Sequence, residues 1–537
     1  MAAIITSNFR TTNAKKLKQQ VSSSSVYVGI GKSDVWSLTT SDTTDTTPFT
    51  PADTLDQLGE ARSNLIGLKK IVGTEIAHVV PRGANTWTSG SSYYAWDSDD
   101  PSIFDKAFYI ITSEFKVYKC IKAPAAASSI QPTQTLTDPT AESDGYTWKY
   151  MYTTGVEDAE KFLTNSYMPV KTISLSAEAT LAVSSSSSVT AILTETIDEI
   201  TIGMTVAGAN ISGTPVVSAI NGSVLTLSTA QTLTAADILT FTWALDSDAE
   251  AQLTEADYAQ YLNQKASRDS STAAGIERIE VTAGGTGYSS APTVTITGDG
   301  TGATATAVMS GSGSSQTVSS ITVTGKGTNY RVVDVTFSGG GGSDAAARAV
   351  LAPKGGHGTD PVSELGGFFI SLNTKLDGND GGDLTVGNDF RQITLFNEPR
   401  NYNATPLAGT IATANTLKGT SYLAIAASGS TDNATDFTVD ELLVGQTSGA
   451  QAYLVEKDTV NDYLRYHQND KTGYTKFQNG ENVVGQTSTS NCLLHASAAL
   501  GNPEVDRMSG DILFLENRDP ISRTTTQIED IKVIIEF

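Results

Sequence analysis

Cysteine is almost absent from this sequence: Cys120 and Cys492 are the only two in 537 residues. A secreted disulfide scaffold needs a denser, evenly paired set, so these two read as reduced thiols in a cytosol. Histidine is nearly as scarce. His78, His357, His467 and His495 lie in different segments, without the short spacing that puts two imidazoles on one zinc ion, and no zinc site is expected. Basic residues are outnumbered, 35 Lys and Arg against 58 Asp and Glu, for a net charge of -23. Such a surface repels phosphates, and no basic patch with interleaved aromatics offsets it, which excludes nucleic acid as a partner. Long hydrophobic runs are missing too. None approaches the ~20 apolar residues of a spanning helix, so no membrane insertion is expected. Residues Met1 to Thr12 lack the basic stretch and apolar core of a signal peptide, and the expectation is a soluble protein made in a cytoplasm.

Gly, Ser, Thr and Ala are what the chain has in abundance. Thr, Val and Ile suit pleated, half-buried strands, and Gly supplies the turns between them. The fold class expected is mainly β: a discontinuous multi-domain β protein with a few short helices and inserted small β modules, the length implying roughly two to four cores. Val26 to Gly31 and Phe115 to Ile121 read as strands. In the second, Phe115, Val117 and Lys119 face one way and Lys116, Tyr118 and Cys120 the other. Thr54 to Ile66 reads as a short helix with Asp53 as its N-cap. After Ser174 the texture changes to a serine run, Ser184 to Ser188, and to Asn221-Gly222 between two apolar runs, a strong hairpin signal. A helix is expected from Asp246 to Lys265, where Leu253, Ala256, Tyr258, Tyr261 and Leu262 trace one apolar face.

Two internal repeats organise the rest of the chain. Ile279, Val281, Gly285 and Tyr288 recur as Ile321, Val323, Gly327 and Tyr330. With a one-residue slip, Val294, Ile296 and Gly298 recur as Val335, Phe337 and Gly339, and Ala303, Ala305 and Ala307 as Ala345, Ala347 and Ala349. Each copy reads as three strands joined by turns. Further on, Phe437, Glu441, Gly445, Gln446, Thr447 and Ser448 recur as Phe477, Glu481, Gly485, Gln486, Thr487 and Ser488. Aromatics and alternation return in Gly366 to Arg400 and Pro503 to Phe537, where Ile531, Val533, Ile535 and Phe537 share one face of a final strand. The division expected is a core domain in three parts, residues 1–172, 354–400 and 503–537. Between them lie a β module at 173–245, a helical connector at 246–273, a tandem β repeat at 274–353 and a pseudo-symmetric β module at 401–502.

Motifs that carry chemistry are few. Gly31-Lys32-Ser33 matches the end of a phosphate-binding loop, but that loop needs a glycine five residues before Gly31, where Val26 stands; a strand end is the expected reading. Leu376 to Leu384 places Asp377, Asp380 and Asp383 among glycines, without the spacing of a calcium loop, and reads as a solvated turn. The GxSxG elbow of serine hydrolases is absent. No catalytic residue, cofactor or metal is expected.

Several separated stretches carry a resemblance. They are ITSNFRT (Ile5 to Thr11), VYVGIGKSDVWS (Val26 to Ser37), VVPRG (Val79 to Gly83), VYKC (Val117 to Cys120), DGYTWKYMY (Asp144 to Tyr152), TNSYMPV (Thr164 to Val170), FRQIT (Phe390 to Thr394), GDILFLENRDPI (Gly510 to Ile521) and the final EDIKVIIEF. In this order they resemble the gene-eight type baseplate wedge protein of T-even-like contractile-tailed phages. The resemblance covers about residues 1–172, 366–400 and 503–537; the compact family member lacks the β insertions. The residues marked as structural are Phe9, Arg10, Gly31, Trp36, Tyr146, Trp148, Phe390, Arg391, Glu516, Asn517, Arg518 and Pro520. Trp36, Tyr146, Trp148 and Tyr150 read as amphipathic anchors, the last three along one strand face. Asn517 to Pro520 reads as a turn after a strand buried on both faces, with Pro520 ending its pairing. Arg391 is expected to pair with a carboxylate.

What the resemblance implies is a homodimeric structural subunit of the virion tail baseplate, not an enzyme, assembled in the host cytoplasm. It would dock onto other wedge proteins and transmit conformational change on host attachment. The rival reading is a virion surface protein that binds host glycans through its β modules, which are aromatic-poor. A glycan-cleaving enzyme comes third and needs two positioned carboxylates.

Overall fold

The computed structural model describes residues 3–537 except 24, 38, 43, 172–175, 196, 198–199, 201–203, 243–262, 265, 269, 271–274, 378–383 and 525. The fold is mainly β, in many small sheets. The chain forms two compact units, one of residues 1–19, 77–371 and 534–537, the other of residues 20–76 and 372–533. The helix expected at Asp246 to Lys265 lies almost wholly outside the described residues, as do Asp380 and Asp383 of the Asp/Gly loop.

The second unit is built on a five-stranded antiparallel sheet, in the order Thr416–Lys418, Leu65–Lys70, Val26–Gly31, Asp389–Asn397, Asp511–Ser522. Val26–Gly31 is central and buried along its whole length. Gly29 is dictated by crowding there: a Cβ would fall 2.5 Å from Thr394 Oγ1 and 2.9 Å from Leu65 Cδ1. Tyr27, Leu65, Leu68, Phe396, Leu417 and Val505 pack together as its core. The helix spans Leu55–Ser63, shorter than expected, and its cap is Thr54 rather than Asp53, with Gln57 N donating to Thr54 Oγ1 at 3.3 Å. It stops there because Leu65–Lys70 is taken up as the partner of Val26–Gly31.

Asn517 to Pro520 is not a turn, and its strand is not buried on both faces. Asp511–Ser522 runs through it as a half-exposed edge strand. Phe390 pairs with Ile521 and Gln392 with Asn517, so the intervening Arg518, Asp519 and Pro520 bulge out of register. A proline without an N–H is tolerated at a bulge on an edge.

Beyond Lys418 the chain forms a seven-stranded sheet whose buried residues include Leu423, Phe437, Leu443, Leu454, Phe477, Val483 and Leu494. The two copies of the second repeat meet where Leu442–Gly445 pairs antiparallel with Asn482–Gly485. The chain leaves and rejoins the core at one place: Lys418 N donates to Glu504 Oε2 at 2.9 Å, and Arg400–Asn401 pairs with Val505–Asp506.

In the first unit, Tyr109–Ile111, Lys116–Lys122, Thr147–Thr153 and Thr140–Ala141 form one sheet. It divides its side chains between two cores, Val117, Met151 and Tyr152 in one and Tyr118, Cys120, Tyr146, Trp148 and Tyr150 in the other. The alternation breaks at Met151, the extra residue of a bulge, since Val117 pairs with Tyr152 and Tyr118 with Tyr150. Phe115 does not share the strand; it holds a left-handed turn before it, with φ 58. A small two-sheet module comes next, with Leu181, Val206, Leu225, Leu239 and Phe241 inside. Its hairpin turns at Gly222-Ser223, since Asn221 already pairs with Val224.

The first repeat closes in a way no single copy can. Ile276–Thr286 pairs with Ser343–Leu351, Thr293–Gly298 with Val333–Ser338, and Thr301–Ser310 with Thr317–Thr328. The first strand of each copy therefore bonds to the third strand of the other, and the two middle strands bond to each other. Tyr288 lies over Gly342, and Tyr330 over Gly300; a Cβ on either glycine would sit 2.5 or 2.4 Å from the ring.

The ends depart from expectation. The helix at Ser7–Ser23 is not foreshadowed by the sequence pattern, because its apolar residues are too few for a stripe; Ala14 and Val21 are the buried ones. In the last strand, Ile528–Glu536, Ile531 and Val533 of the expected face are buried, while Ile535 and, just beyond the strand, Phe537 are half-buried. Ile534 instead packs on Val79, Phe162 and Phe368.

Candidate functional site

The second unit gathers its charge where strand Val26–Gly31 ends. Gly31 fits closely there: a Cβ would stand 3.0 Å from Asn64 O. Lys32 turns left-handed, φ 60, and donates its N–H to Asn64 O at 3.0 Å. Its ammonium is buried, 3.1 Å from Asp34 Oδ2, 3.9 Å from Glu60 Oε1 and 4.9 Å from the Trp36 ring centre. Lys471 joins the same carboxylate, and Asn469 Nδ2 donates to Asp34 Oδ1 at 3.0 Å. Burial pushes the Asp34 carboxyl up, but the surrounding cations outweigh it and hold it below the usual range. Burial also takes His467 down to about 4, leaving the two lysines as the cations that do this near neutrality. Gly31-Lys32-Ser33 thus ends a strand and is locked by ion pairs, with the lysine turned away from the role it has in a phosphate loop.

The fold brings Ser33, His467 and Asp34 together, yet not as a catalytic relay. Ser33 Oγ is 3.0 Å from His467 Nε2, and Asp34 Oδ1 is 3.8 Å from that same nitrogen. A relay needs the acid on the opposite nitrogen to hold the tautomer. His467 Nδ1 makes no hydrogen bond, and all three side chains are buried. This wiring supports packing.

Arg391 has its carboxylate: Asp45 accepts from Nε and Nη2 at 2.8 Å each, and Asp389 from Nη2 at 3.0 Å. Its Nη1 donates to Ser33 O. Burial works against the guanidinium, and the Asp45 pair more than restores its proton affinity. Trp36 is tied to the same acid by N–H to Asp45 Oδ1 at 2.8 Å, while its indole Nε1 donates to Arg518 O at 2.8 Å. Asn517 accepts from Gln392 Nε2 at 2.9 Å and donates to Phe49 O at 3.0 Å. Phe390 is wholly buried, Glu516 faces Arg518 at 4.0 Å, and Pro520 is exposed. Beside this network opens a cleft of about 780 Å³, lined by Lys32, Trp36, Phe49, Glu60, Asp470 and Lys471 among others.

In the first unit, Tyr146 and Trp148 stack at 5.6 Å inside the aromatic core. Arg10 lies 3.5 Å over the Phe368 ring, pairs with Glu536 at 2.5 Å and donates to Phe537 O. Phe9 is exposed. A second buried network has Lys119 3.0 Å from Glu364 and 3.8 Å from the Trp96 ring centre. His357 is 3.5 Å from Glu277 and is kept neutral by burial, which takes it to about 4. Among the described residues no three His, Cys, Asp or Glu side chains converge on a metal position.

Asp34, Asp45, His467 and Lys471 carried no signal in the sequence. Asp34 comes directly after the Gly-Lys-Ser triplet and pairs with Lys32 inside it, but its other partners, His467, Asn469 and Lys471, lie more than four hundred positions away. Compared with known proteins, the chain matches no family model and no curated protein.

Proposed function

We propose that the chain is a structural subunit of a phage tail baseplate, of the wedge type, joining neighbouring proteins and passing on conformational change at host attachment. One observation supports this reading. Three stretches that carry the resemblance, VYVGIGKSDVWS, FRQIT and GDILFLENRDPI, are strands and strand ends of a single sheet. Side chains within these stretches tie them together: Trp36 donates to Arg518 O, 482 positions away, and Gln392 to Asn517. Imaging of intact virions with this subunit labelled tests the reading. The label is expected at the end of the tail, and a label on the capsid would overturn it. Light scattering on the purified chain should give twice the chain mass; a clean monomer at about micromolar concentration, where stable subunit interfaces persist, would count against it.

A further inference from the structure

The cleft of about 780 Å³ in the second unit is more acidic than its floor suggests. Its two cations, Lys32 and Lys471, are already committed to Asp34 beneath them. Four further carboxylates line it: Asp42, Asp56, Glu60 and Asp470. Asp470 accepts from the Tyr474 hydroxyl at 2.7 Å. Glu60 is left under-compensated: burial raises its proton affinity more than Lys32, 3.9 Å away, lowers it. The exposed aromatic surface is Phe49, 45% exposed; Trp36, edge to face with it at 5.2 Å, is buried and already faces the Lys32 ammonium.

We infer that this cleft receives an arginine or lysine side chain of a partner protein, with an apolar neighbour of that residue resting on Phe49. Charge complementarity selects the occupant. A cation supplies what Glu60 and the rim lack, and a guanidinium also stacks on aromatic faces while donating in a planar fork to carboxylates. A neutral sugar would leave the excess carboxylate unanswered. A metal ion would need converging ligands, which the described residues do not offer. The partner's being a protein rests on the proposed role in an assembly.

The test uses the full chain and a blocked peptide, acetyl-Gly-Leu-Arg-Gly-amide, titrated by calorimetry at low salt beside its citrulline analogue. The arginine peptide should bind at least about tenfold more tightly, and added salt should weaken it, as for any contact between exposed charges. The double variant Asp56→Asn/Asp470→Asn, with unchanged melting, should lose about tenfold in affinity. Equal binding of the citrulline peptide, no binding up to about 10 mM, or an unaffected variant would overturn the inference. So would methyl glucoside or calcium binding in the peptide's place. A failed titration leaves the labelled-virion result untouched, whereas a label away from the baseplate with arginine binding intact would change only the partner's identity.

Discussion

Glu441 and Glu481 each close the turn that belongs to the other. Glu441 accepts from the backbone N–H groups of Thr487 and Ser488, both at 2.9 Å, and Glu481 accepts from those of Thr447 at 3.1 Å and Ser448 at 2.9 Å. Each also holds its own segment, through Thr438 N at 2.7 Å and Gln478 N at 2.6 Å. Gly445 and Gly485 make room, since a Cβ there would approach the opposite carboxylate to 2.8 and 2.5 Å. The repeated letters Glu, Gly, Thr and Ser are thus one reciprocal device.

Glu441→Ala should therefore loosen the distant turn rather than its own. A hydrogen bond to a charged acceptor contributes about 1.5–3 kcal/mol, and water recovers part of that at Thr487, which is exposed, and Ser488, which is half-buried, so local opening there should become easier by roughly tenfold. Hydrogen exchange resolved by residue reads this; Thr447 and Ser448 should keep their protection. Glu481→Ala should give the mirror result.

Asp440 makes stability depend on pH. Burial, with Asp389 beside it, raises its carboxyl to about 7, and Asp389 N donates to Oδ2 at 3.3 Å while Oδ1 has no hydrogen bond. An unfolded Asp titrates near about 3.9, so between these values the folded chain binds more protons than the unfolded one. Stability from this group is full below about pH 4 and lost as pH rises through about 7. Asp440→Asn should leave melting at pH 4 unchanged and raise stability at pH 8, by on the order of 1–4 kcal/mol. Equal effects at both pH values would contradict this.

Gly300→Ala and Gly342→Ala should destabilise the first repeat to a similar extent. Each Cβ would strike the equivalent tyrosine, Tyr330 or Tyr288, and such overpacking costs about 1–3 kcal/mol. Gly83→Ala, with nothing within 4 Å, is the control. Thermal melting of the three variants compares them.

Deletion should separate the core from its largest insertion. Replacing residues 419–503 by a short Gly/Ser linker joins Lys418 to Glu504, which already touch. The product should stay soluble and melt cooperatively, at lower temperature because Asp34 loses Lys471 and Asn469. Removing Ile531 to Phe537 should abolish cooperative melting: it takes away two buried side chains, worth ~1.5–3 kcal/mol each, and the grip of Arg10 on Glu536 and Phe537. A soluble tail deletion beside an insoluble module deletion would reverse the assignment of core and insertion.

Local pattern was enough to identify the mainly β class, the strand Val26–Gly31, the alternating Tyr146, Trp148 and Tyr150, and both repeats. Each is written in consecutive residues as a period of two, a turn signal or a recurrence, because backbone pleat and steric limits act over a few positions. The tertiary structure alone decided that the first repeat pairs its copies crosswise, that Arg518 to Pro520 bulges on an edge strand, and that Arg391 meets Asp45. It also decided that Lys32 is spent on Asp34. Those outcomes depend on which surfaces remain to be buried once distant segments meet, and on buried charges finding the nearest opposite charge whatever its place in the chain.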